Sequence, residues 1–368
     1  MYMMRSIITV LTIALATAIS YGKTMIVIGS DDRLPVAGAT MLSASGHIAG
    51  VADKNGVMAQ PDSIMYPITI RSMGYEVTTI TEPRDTVMLN TVEYALPEVS
   101  VTATERPFRR VVWSAREYST GTTGKDTMQL YSEYMLESFF VDRKVKGYHS
   151  SDRDLTTKAV KRYARISGAN RTDSIFMPRE SDDITILAWG GTFCELPEEK
   201  VEETTAIRKG ALTDSIVGKY ATEKVFQKGS SRYTVITDIL SNHKNHSWSP
   251  SLFKLFGMTI DIENYNSTFC FQQNEHGVYD TYDLLYSSVN LNVLAYGKIF
   301  KWLFRSKEPM TMNTYIELYP IEITSHSLEE YKEMRKDKTP LEFILPETLL
   351  PEIPAVTEIK HRIKTIGE

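Results

Sequence analysis

Residues 34–75 constrain the fold more than any other stretch, because short β-type segments there alternate with strong turn signals. Pro35 fixes its own φ angle and has no N–H, so it suits the beginning of an edge strand. Gly38 then lets the backbone bend before a predicted strand at Ala39–Ser43. The stretch therefore predicts a small domain of short β-strands.

A turn and further strands follow. Asn55-Gly56 tolerates the positive φ angles of a tight turn, which predicts a hairpin between His47–Ala52 and Val57–Gln60. Apolar and polar residues alternate over Ile68–Met73 with the period of a half-buried strand, and Gly74 ends it. Further strands are predicted at Thr24–Gly29, Glu76–Thr81 and Asp85–Leu89.

Together these pieces resemble the carboxypeptidase-like regulatory domain, a seven-stranded β-sandwich related in shape to transthyretin. Three sequence signatures of this family occur in the chain in the family's order, at Pro35–Thr40, Asp53–Gly56 and Gly74-Tyr75. Leu96–Ala103 resembles the connector that follows this domain in TonB-dependent receptors of Gram-negative bacteria. The resemblance covers less than a quarter of the chain, and it implies an envelope module rather than an activity.

The N-terminus has the pattern of a secretory signal peptide. Arg5 precedes the apolar run Ile7–Ala16, and Ser20 and Gly22 are small residues suited to cleavage. The apolar run is shorter than the ~20 residues that span a bilayer. We therefore expect residues 1–22 to be removed and the protein to reach the periplasm or cell surface of a Gram-negative bacterium.

The two cysteines are Cys194 and Cys270. Neither lies near the predicted cleavage site, so we expect no lipid-bearing cysteine. Export makes a disulfide between them feasible, but sequence spacing does not give the distance between their Cα atoms. A bridge and two buried free thiols therefore both remain open.

The chain has 368 residues, enough for two domains with a sizeable core in each. We predict a mainly β fold, with an N-terminal seven-stranded β-sandwich followed by a β-rich α+β domain of long antiparallel strands. The predicted divisions are a signal peptide at 1–22, the sandwich at 23–90, a linker at 91–112, the α+β domain at 113–325, and a short helix with a proline-rich tail at 326–368. The linker either runs free or pairs as an extra edge strand.

Periodicity assigns the elements of the second domain. Met128, Tyr131, Met135 and Phe139 recur at helical spacing, which predicts an amphipathic helix over Asp126–Val141. Strands are predicted at Arg162–Ser167, Ser174–Met177, Ile184–Trp189, Arg232–Leu240, 258–263, Tyr265–Gln272, Ser288–Tyr296 and Met310–Glu322.

Helix signals are fewer. Short helices are predicted at 249–256, after Ser249-Pro250, and at Lys298–Phe304. A capping box at Ser327–Glu330 opens a charged helix that runs to about Lys336. Prolines interrupt the chain beyond it and predict an extended or partly disordered tail; they are Pro340, Pro346, Pro351 and Pro354.

Two clusters contain residue types that bind zinc. His326 and Glu329 have the spacing of a zinc-peptidase pair, but only His361 follows, and a helix cap explains the same residues. His243–His246 and Glu275-His276 would need two loops to converge. We therefore expect no metal site at either cluster.

Catalytic signatures are incomplete. Ser251–Lys254 matches Ser-x-x-Lys without companion motifs, and Gly121–Lys125 resembles a phosphate loop whose required Ser or Thr is replaced by an acidic residue. The carboxylate pairs Asp182-Asp183 and Asp280/Asp283 suit glycoside hydrolysis only at a defined separation. We therefore expect no catalytic residue and no cofactor.

An Asp-Ser/Thr-aliphatic triplet recurs, and it resembles an acceptor pattern for O-glycosylation of exported proteins in some bacteria. The same letters also describe turns that precede strands, so both explanations remain open. The triplets are Asp62–Ile64, Asp85–Val87, Asp126–Met128, Asp173–Ile175 and Asp214–Ile216.

Composition narrows the function. Lysine and arginine total 41 against 46 acidic residues, a net charge of −5 without a long basic block, which argues against nucleic-acid binding. We expect a non-enzymatic binding or scaffolding module that acts on an envelope protein or glycan through edge strands and aromatic patches. Two alternatives remain: a hydrolase with its site in 113–322, and a lipid-binding half-barrel with an apolar cavity between the strands of 232–322 and the helices.

Overall fold

The computed structural model describes residues 23–94, 98–100, 106–124, 126–141, 145–148, 154–168, 171–188, 201–202, 211–217, 223–229, 232–238, 246–247, 257–272, 278–279, 283–298, 301, 308–346 and 349–367. Within these ranges, no helix has the length and apolar character needed to cross a membrane.

Seven short strands form an N-terminal sandwich, and the predicted β-rich fold class is confirmed. In chain order the strands are β1 (Thr24–Gly29), β2 (Thr40–Ser43), β3 (Ile48–Val51), β4 (Val57–Ala59), β5 (Ile68–Arg71), β6 (Thr78–Ile80) and β7 (Thr86–Leu89). One sheet has the order β4-β1-β7 and the other β3-β2-β5-β6. An apolar core that includes Met25, Val27, Ile68 and Ile70 is fully buried in this sandwich.

The turn Asp53–Gly56 forms, but the predicted hairpin around it is wrong. Asp53 Oδ1 accepts hydrogen bonds from the backbone N–H groups of Asn55 at 2.8 Å and Val57 at 2.9 Å, and Gly56 has a φ of +72°. β3 pairs with β2, whereas β4 pairs with β1 in the other sheet. The turn therefore joins strands of two different sheets. The hairpin prediction fails because sequence alternation specifies a strand without specifying its partner.

The described residues after the sandwich form both long and short strands. They are β8 (Glu98–Ser100), β9 (Phe108–Thr123), β10 (Asp126–Val141), β11 (Asp154–Gly168), β12 (Arg171–Phe176), β13 (Val201–Glu202), β14 (Thr213–Val217), β15 (Glu223–Lys228), β16 (Arg232–Asp238), β17 (His246–Ser247), β18 (Met258–Gln272), β19 (Val278–Tyr279), β20 (Leu284–Gly297) and β21 (Met310–His326). Ten of them form one antiparallel sheet in the order β12-β11-β10-β9-β21-β20-β18-β16-β15-β14. This large sheet confirms the predicted long antiparallel strands.

Short strands complete the pairing. β13 pairs with β19 as a separate two-stranded sheet, and β17 pairs with β18. β8 lies in the segment predicted as a linker and pairs in parallel with the end of β21. β9 begins at Phe108, inside the same predicted segment.

The helix predicted over Asp126–Val141 is wrong, because these residues form β10. Both faces of β10 are buried, and Leu130 and Tyr131 are neighbours in sequence with 1% and 2% exposure. Apolar residues therefore occupy both phases of the strand alternation, and a subset of them happens to recur at helical spacing.

The strand predicted at Ile184–Trp189 is also wrong over its described residues. Asp183–Leu187 forms a 3-10 helical turn. Ile184 and Leu187 are buried against the large sheet, and their separation of three residues matches the three-residue turn of a 3-10 helix.

Two α-helices lie near the C-terminus, α1 (Leu328–Lys336) and α2 (Pro354–Gly367). The predicted capping box of α1 is confirmed: Ser327 Oγ accepts from the Glu330 backbone N–H at 3.3 Å, and Glu330 Oε2 accepts from the Ser327 N–H at 2.8 Å. The expectation that prolines exclude a helix from the tail is wrong, because Pro354 is the first residue of α2, where a backbone N–H has no helical partner.

The other predicted helices are only partly testable. Residues 249–256 lie outside the described ranges. Lys298 and Lys301 are helical, and the remainder of Lys298–Phe304 lies outside the described ranges.

The two faces of the large sheet are covered differently. Cross-strand register places Tyr118, Tyr131 and Tyr315 on one face, where they cluster with Leu42 of the sandwich and Ile353 of the C-terminal segment. The opposite face carries the largest apolar core, whose buried members include Trp113, Leu136, Phe269, Leu291 and Ile316.

Candidate functional site

An ion pair lies at the junction of the sandwich and the large sheet. Arg71 ends β5 and is 1% exposed, and Glu317 in β21 is fully buried. The guanidinium meets the carboxylate in a two-pronged contact: Nε donates to Oε1, and Nη2 donates to Oε2 at 3.0 Å. Two residues that are 246 positions apart thereby connect the sandwich to the large sheet through a pair that water does not reach.

Tyrosines surround this ion pair. Tyr319 donates its hydroxyl hydrogen to Glu317 Oε2 at 3.1 Å, and the Arg71 guanidinium lies 5.3 Å from the ring centroid of Tyr118. Burial opposes the charge of Arg71, but the adjacent Glu317 carboxylate outweighs this effect and holds the pKa of Arg71 well above its usual value. Burial also raises the pKa of Tyr315 and Tyr319. The junction therefore holds the Arg71–Glu317 pair and a further buried cation, Arg116, among neutral phenols.

The C-terminal segment closes the junction from a third side. Arg71 Nη1 donates to the Pro351 carbonyl, and Arg116 Nη1 donates to the Leu350 carbonyl at 2.8 Å. Lys360 on α2 lies 2.7 Å from the Glu133 carboxylate of β10. Residues 349–367 thus bind the sandwich and the sheet together.

A second buried carboxylate lies on the opposite face of the sheet. Glu117 is fully buried and accepts hydrogen bonds from Ser119 Oγ at 3.2 Å and from the Tyr134 hydroxyl. Burial and the Glu117 carboxylate raise the pKa of Tyr134. These groups are part of the polar interior of an otherwise apolar core.

The two ends of the large sheet differ in how their edges are protected. At the β12 edge, Arg165 makes a two-pronged contact with Asp173 at 2.9 and 3.0 Å, and Arg362 of α2 lies 3.9 Å from the same carboxylate. The β11–β12 register also shifts between Ile166 and Gly168. Charge, a bulge and an adjacent helix are devices that discourage further strand pairing.

Within its described residues, the β14 edge has one charged residue, Asp214, and no register shift. β14 pairs with β15 in continuous register over all five of its residues. Leu212 and Ile216 are 56% and 47% exposed, and residues 211–217 contain no Lys, Arg or Pro. Such an edge presents backbone hydrogen-bonding groups next to exposed apolar side chains.

His326 and Glu329 of the zinc-peptidase candidate flank the capping residue Ser327 at the start of α1. His326 is 8% exposed, its Nε2 lies 2.8 Å from Thr324 Oγ1, and its Nδ1 lies 3.6 Å from Glu330, not Glu329. Burial lowers the pKa of His326. His361 lies on α2. The described part of the chain contains no group of three or more His, Cys, Asp or Glu side chains placed to hold a metal.

Most residues of the other candidate clusters lie outside the described ranges. This holds for Ser251–Lys254, Glu275-His276, Asp280 and residues 243–245, while His246 lies in β17. Asp182 Oδ2 accepts from the Arg179 backbone N–H at 2.7 Å.

The remaining sequence candidates have local roles. Gly121–Thr123 ends β9, and Gly124 turns the chain into β10, so this segment is a β-hairpin rather than a phosphate loop. Cys270 is a buried free thiol whose pKa burial raises, and Cys194 lies outside the described ranges. In the recurring triplets, the exposed hydroxyl residues are Ser63, Thr86, Ser174 and Ser215, and Thr127 is half-buried.

Sequence reasoning missed the junction. Tyr315, Glu317 and Tyr319 alternate along a predicted strand, so a carboxylate shares one strand face with two aromatic rings. A carboxylate on a buried strand face requires a cationic or hydrogen-bonding partner, so the sequence does indicate that Glu317 has such a partner. Sequence alone does not identify Arg71 as that partner.

Comparisons with known proteins identify no family. No family model matches the chain, and no curated protein matches it. A solved structure described as "Lipid-protein interactions in lipovitellin" aligns with 10% identity and a TM-score of 0.30, over 60% of this chain and 26% of that chain. The chain thus spans about a quarter of that structure, and a likeness at this TM-score carries no argument about fold or ligand.

Proposed function

We propose that the protein is a non-enzymatic binding or scaffolding protein of a Gram-negative envelope, and that it binds an extended segment of a partner protein along β14. The observation that carries this proposal is that β14 ends the large sheet and that its described residues have no register shift and no Lys, Arg or Pro. A partner segment that adds a strand there gains main-chain hydrogen bonds from the edge and side-chain contacts from its exposed residues.

The exposed side chains fit this mode of recognition. Asp214 and Ile216 project from the same face of β14, and the exposed Leu212 directly precedes the strand. A partner strand with alternating apolar residues would cover the side chains of Leu212 and Ile216. The β12 edge, which carries charges and a bulge, is less suited to such pairing.

The arrangement of the rest of the molecule supports a scaffold. The sandwich is tied to β15 by an ion pair between Lys54 and Glu223 at 2.6 Å, in addition to the Arg71–Glu317 pair. The edge is therefore presented by an assembly held at two separate points. A pre-organised surface loses less conformational entropy when it binds.

Site-specific photo-cross-linking tests the proposal. A photoreactive amino acid replaces Ile216 in one variant and Met177 in a control, since Met177 is 54% exposed but lies after β12. We expect an adduct with another envelope protein from the position-216 variant only. Introducing Lys at position 212 in that variant should abolish the adduct, because a charged edge discourages pairing.

The other outcomes contradict the proposal. Equal adducts at both positions, or none at either, would exclude β14 as the binding edge. An adduct only with a second copy of this chain would assign the edge to self-association instead.

The hydrolase and lipid-binding alternatives stay predictions. A native mass spectrum of the mature protein, compared with its denatured mass, distinguishes them from the proposed function. A co-purifying lipid would favour the lipid-binding alternative, and a bound metal would favour the hydrolase.

A further inference from the structure

A groove of about 560 Å³ lies beside α1, far in sequence from β14. It is lined by Tyr148, Tyr331, Lys332, Arg335, Lys336 and Lys338, and we call it the α1 groove. Its volume is within the range that accommodates small-molecule ligands. Four of its six lining residues are cationic, although the whole chain has a net charge of −5.

An aromatic cluster holds the floor of the α1 groove in place. The ring of Tyr331 stacks on Phe108 with a centroid distance of 4.4 Å and an interplanar angle of 7°. Tyr148 meets both rings edge-on, at 5.1 Å from Phe108 and 5.9 Å from Tyr331. Phe139 contacts Tyr331 from β10 at 5.3 Å. Because Phe108 is fully buried, the two tyrosines are anchored in the protein core.

Three of the rim cations, Lys332, Lys336 and Lys338, are at most weakly compensated by the described residues. Lys336 lies 3.3 Å from Glu333, but both side chains are more than 70% exposed, so water and salt screen this pair. Asp337 Oδ1 accepts hydrogen bonds from the Thr339 backbone N–H at 2.9 Å and from the Thr339 hydroxyl. Lys332 and Lys338 form no ion pair with the part of the chain that the structure describes.

The geometry points to a binding site for a phosphate group carried on a sugar or other polyol ring. Clustered ammonium and guanidinium groups at the rim suit a phosphate dianion, because each donates a charge-assisted hydrogen bond. The half-buried Tyr148 offers apolar ring surface against which a saccharide ring packs, and the buried Tyr331 supports it edge-on. The same chemistry occurs in a soluble sugar phosphate and in a phosphorylated polyol headgroup of a lipid. This site is independent of the β14 edge.

Two binding measurements on the full mature chain test the proposal and distinguish the sources. Glucose 6-phosphate is titrated by calorimetry, with glucose and inorganic phosphate as comparison ligands. Vesicles of phosphatidylcholine with or without phosphatidylinositol 4-phosphate are used in a flotation assay. We expect saturable binding of at least one phosphorylated ring, weaker binding of inorganic phosphate, and none of glucose.

Matched variants locate the site. The double variant K332Q/K338Q should bind the phosphorylated ring about tenfold more weakly, because two charge-assisted contacts are lost. K298Q/K364Q removes the same charge from exposed residues elsewhere and should bind like the unmodified chain. Y148A should weaken binding of the phosphorylated ring without changing the affinity for inorganic phosphate. Thermal unfolding of each variant shows whether it is folded.

The outcomes are decisive in either direction. Binding of glucose 6-phosphate alone would indicate a soluble ligand, and binding of the vesicles alone would indicate a lipid headgroup. Absence of saturable binding for both probes would overturn the proposal. It would also be overturned by equal weakening in K332Q/K338Q and K298Q/K364Q, or by equal affinities for inorganic phosphate and glucose 6-phosphate.

Discussion

The guanidinium of Arg71 and the carboxylate of Glu317 pair across the junction of two β domains, with side-chain exposures of 1% and 0%. Their positions differ by 246 residues in sequence. Removing two charges from water is costly, and the contact compensates for this only while both partners and their hydrogen bonds are present. The pair therefore makes docking of the sandwich specific to one position on β21.

Loss of one partner should be strongly destabilising. In E317Q the buried guanidinium of Arg71 loses its counter-charge, and we expect the free energy of unfolding to fall by about 3–5 kcal/mol. Denaturant titration measures the change. The double variant R71M/E317L should recover part of the loss, because it removes the unpaired charge of Arg71 and leaves only Arg116, whose Nη1 still donates to the Leu350 carbonyl.

An exposed arginine provides the control for this prediction. Arg84 is 55% exposed and lies 3.8 Å from Glu82, which is 71% exposed. R84M should change stability by no more than about 0.5 kcal/mol. A loss in E317Q as small as that in R84M would show that the junction does not contribute to stability.

Two glycines separate backbone strain from steric crowding. Gly56 and Gly147 have φ angles of +72° and +85°. A Cβ on Gly56 would lie 2.4 Å from the Val27 carbonyl oxygen, whereas a Cβ on Gly147 would meet no atom within 4 Å. G147A should cost only about 1 kcal/mol for the left-handed conformation. G56A should cost at least about 2 kcal/mol more, because β1 must also shift.

Thermal or denaturant unfolding of both variants checks this prediction. Similar losses in G56A and G147A would contradict the crowding at Val27, since the two positions share the backbone strain. The comparison also tests the Asp53–Gly56 turn. The sequence predicts this turn, but it does not predict which strands pair on either side of it.

Local signals predict the sandwich well. Thr24–Gly29 is a strand with the predicted bounds, and turn chemistry places Asp53–Gly56. These features depend on a few neighbouring residues, whose conformational preferences act at short range. The pairing of β3 and β4 in different sheets depends on contacts between layers, which no local pattern contains.

Burial on both faces defeats periodicity in the large sheet. The spacing of apolar residues over Asp126–Val141 predicts a helix, but these residues form β10. Nearly all residues of β10 are buried, so polar residues do not mark one face of the strand and the strand alternation is not visible in the sequence. β21 was predicted as a strand, although four residues shorter at its C-terminal end than observed. The junction was missed for a related reason, since Glu317 gives no sign in sequence of which cation it meets.

Stability should depend on pH through His326. Burial lowers its pKa below the ordinary value of 6.5, and the cations Arg110 and Arg106 act in the same direction, against the carboxylates of Glu330 and Glu322. The unfolded chain therefore binds a proton at His326 more readily than the folded chain. The contribution of neutral His326 is complete above pH 6.5 and is lost as the pH falls below it.

The variant H326Q isolates this contribution. Glutamine keeps a polar group near Thr324 but does not titrate. Unfolding free energies measured between neutral pH and about pH 5 should fall more steeply in the unmodified chain than in H326Q. Parallel pH profiles would contradict the prediction.

The C-terminal segment should be an integral part of the fold, and Ile353 provides the test. Ile353 is 5% exposed and packs with Tyr118 and Tyr315 on the face of the large sheet next to the sandwich. I353A leaves a cavity there and should lower the unfolding free energy by about 2–5 kcal/mol. I344A, at a position that is 48% exposed, should change it by no more than about 0.5 kcal/mol.

Hydrogen exchange adds a local measurement of the same contact. Backbone amides of 349–367 should exchange faster in I353A, because the segment whose carbonyls accept from Arg71 and Arg116 is loosened. Unchanged exchange there, with a loss of stability like that of I344A, would show that the tail lies on the sheet without holding the two domains together.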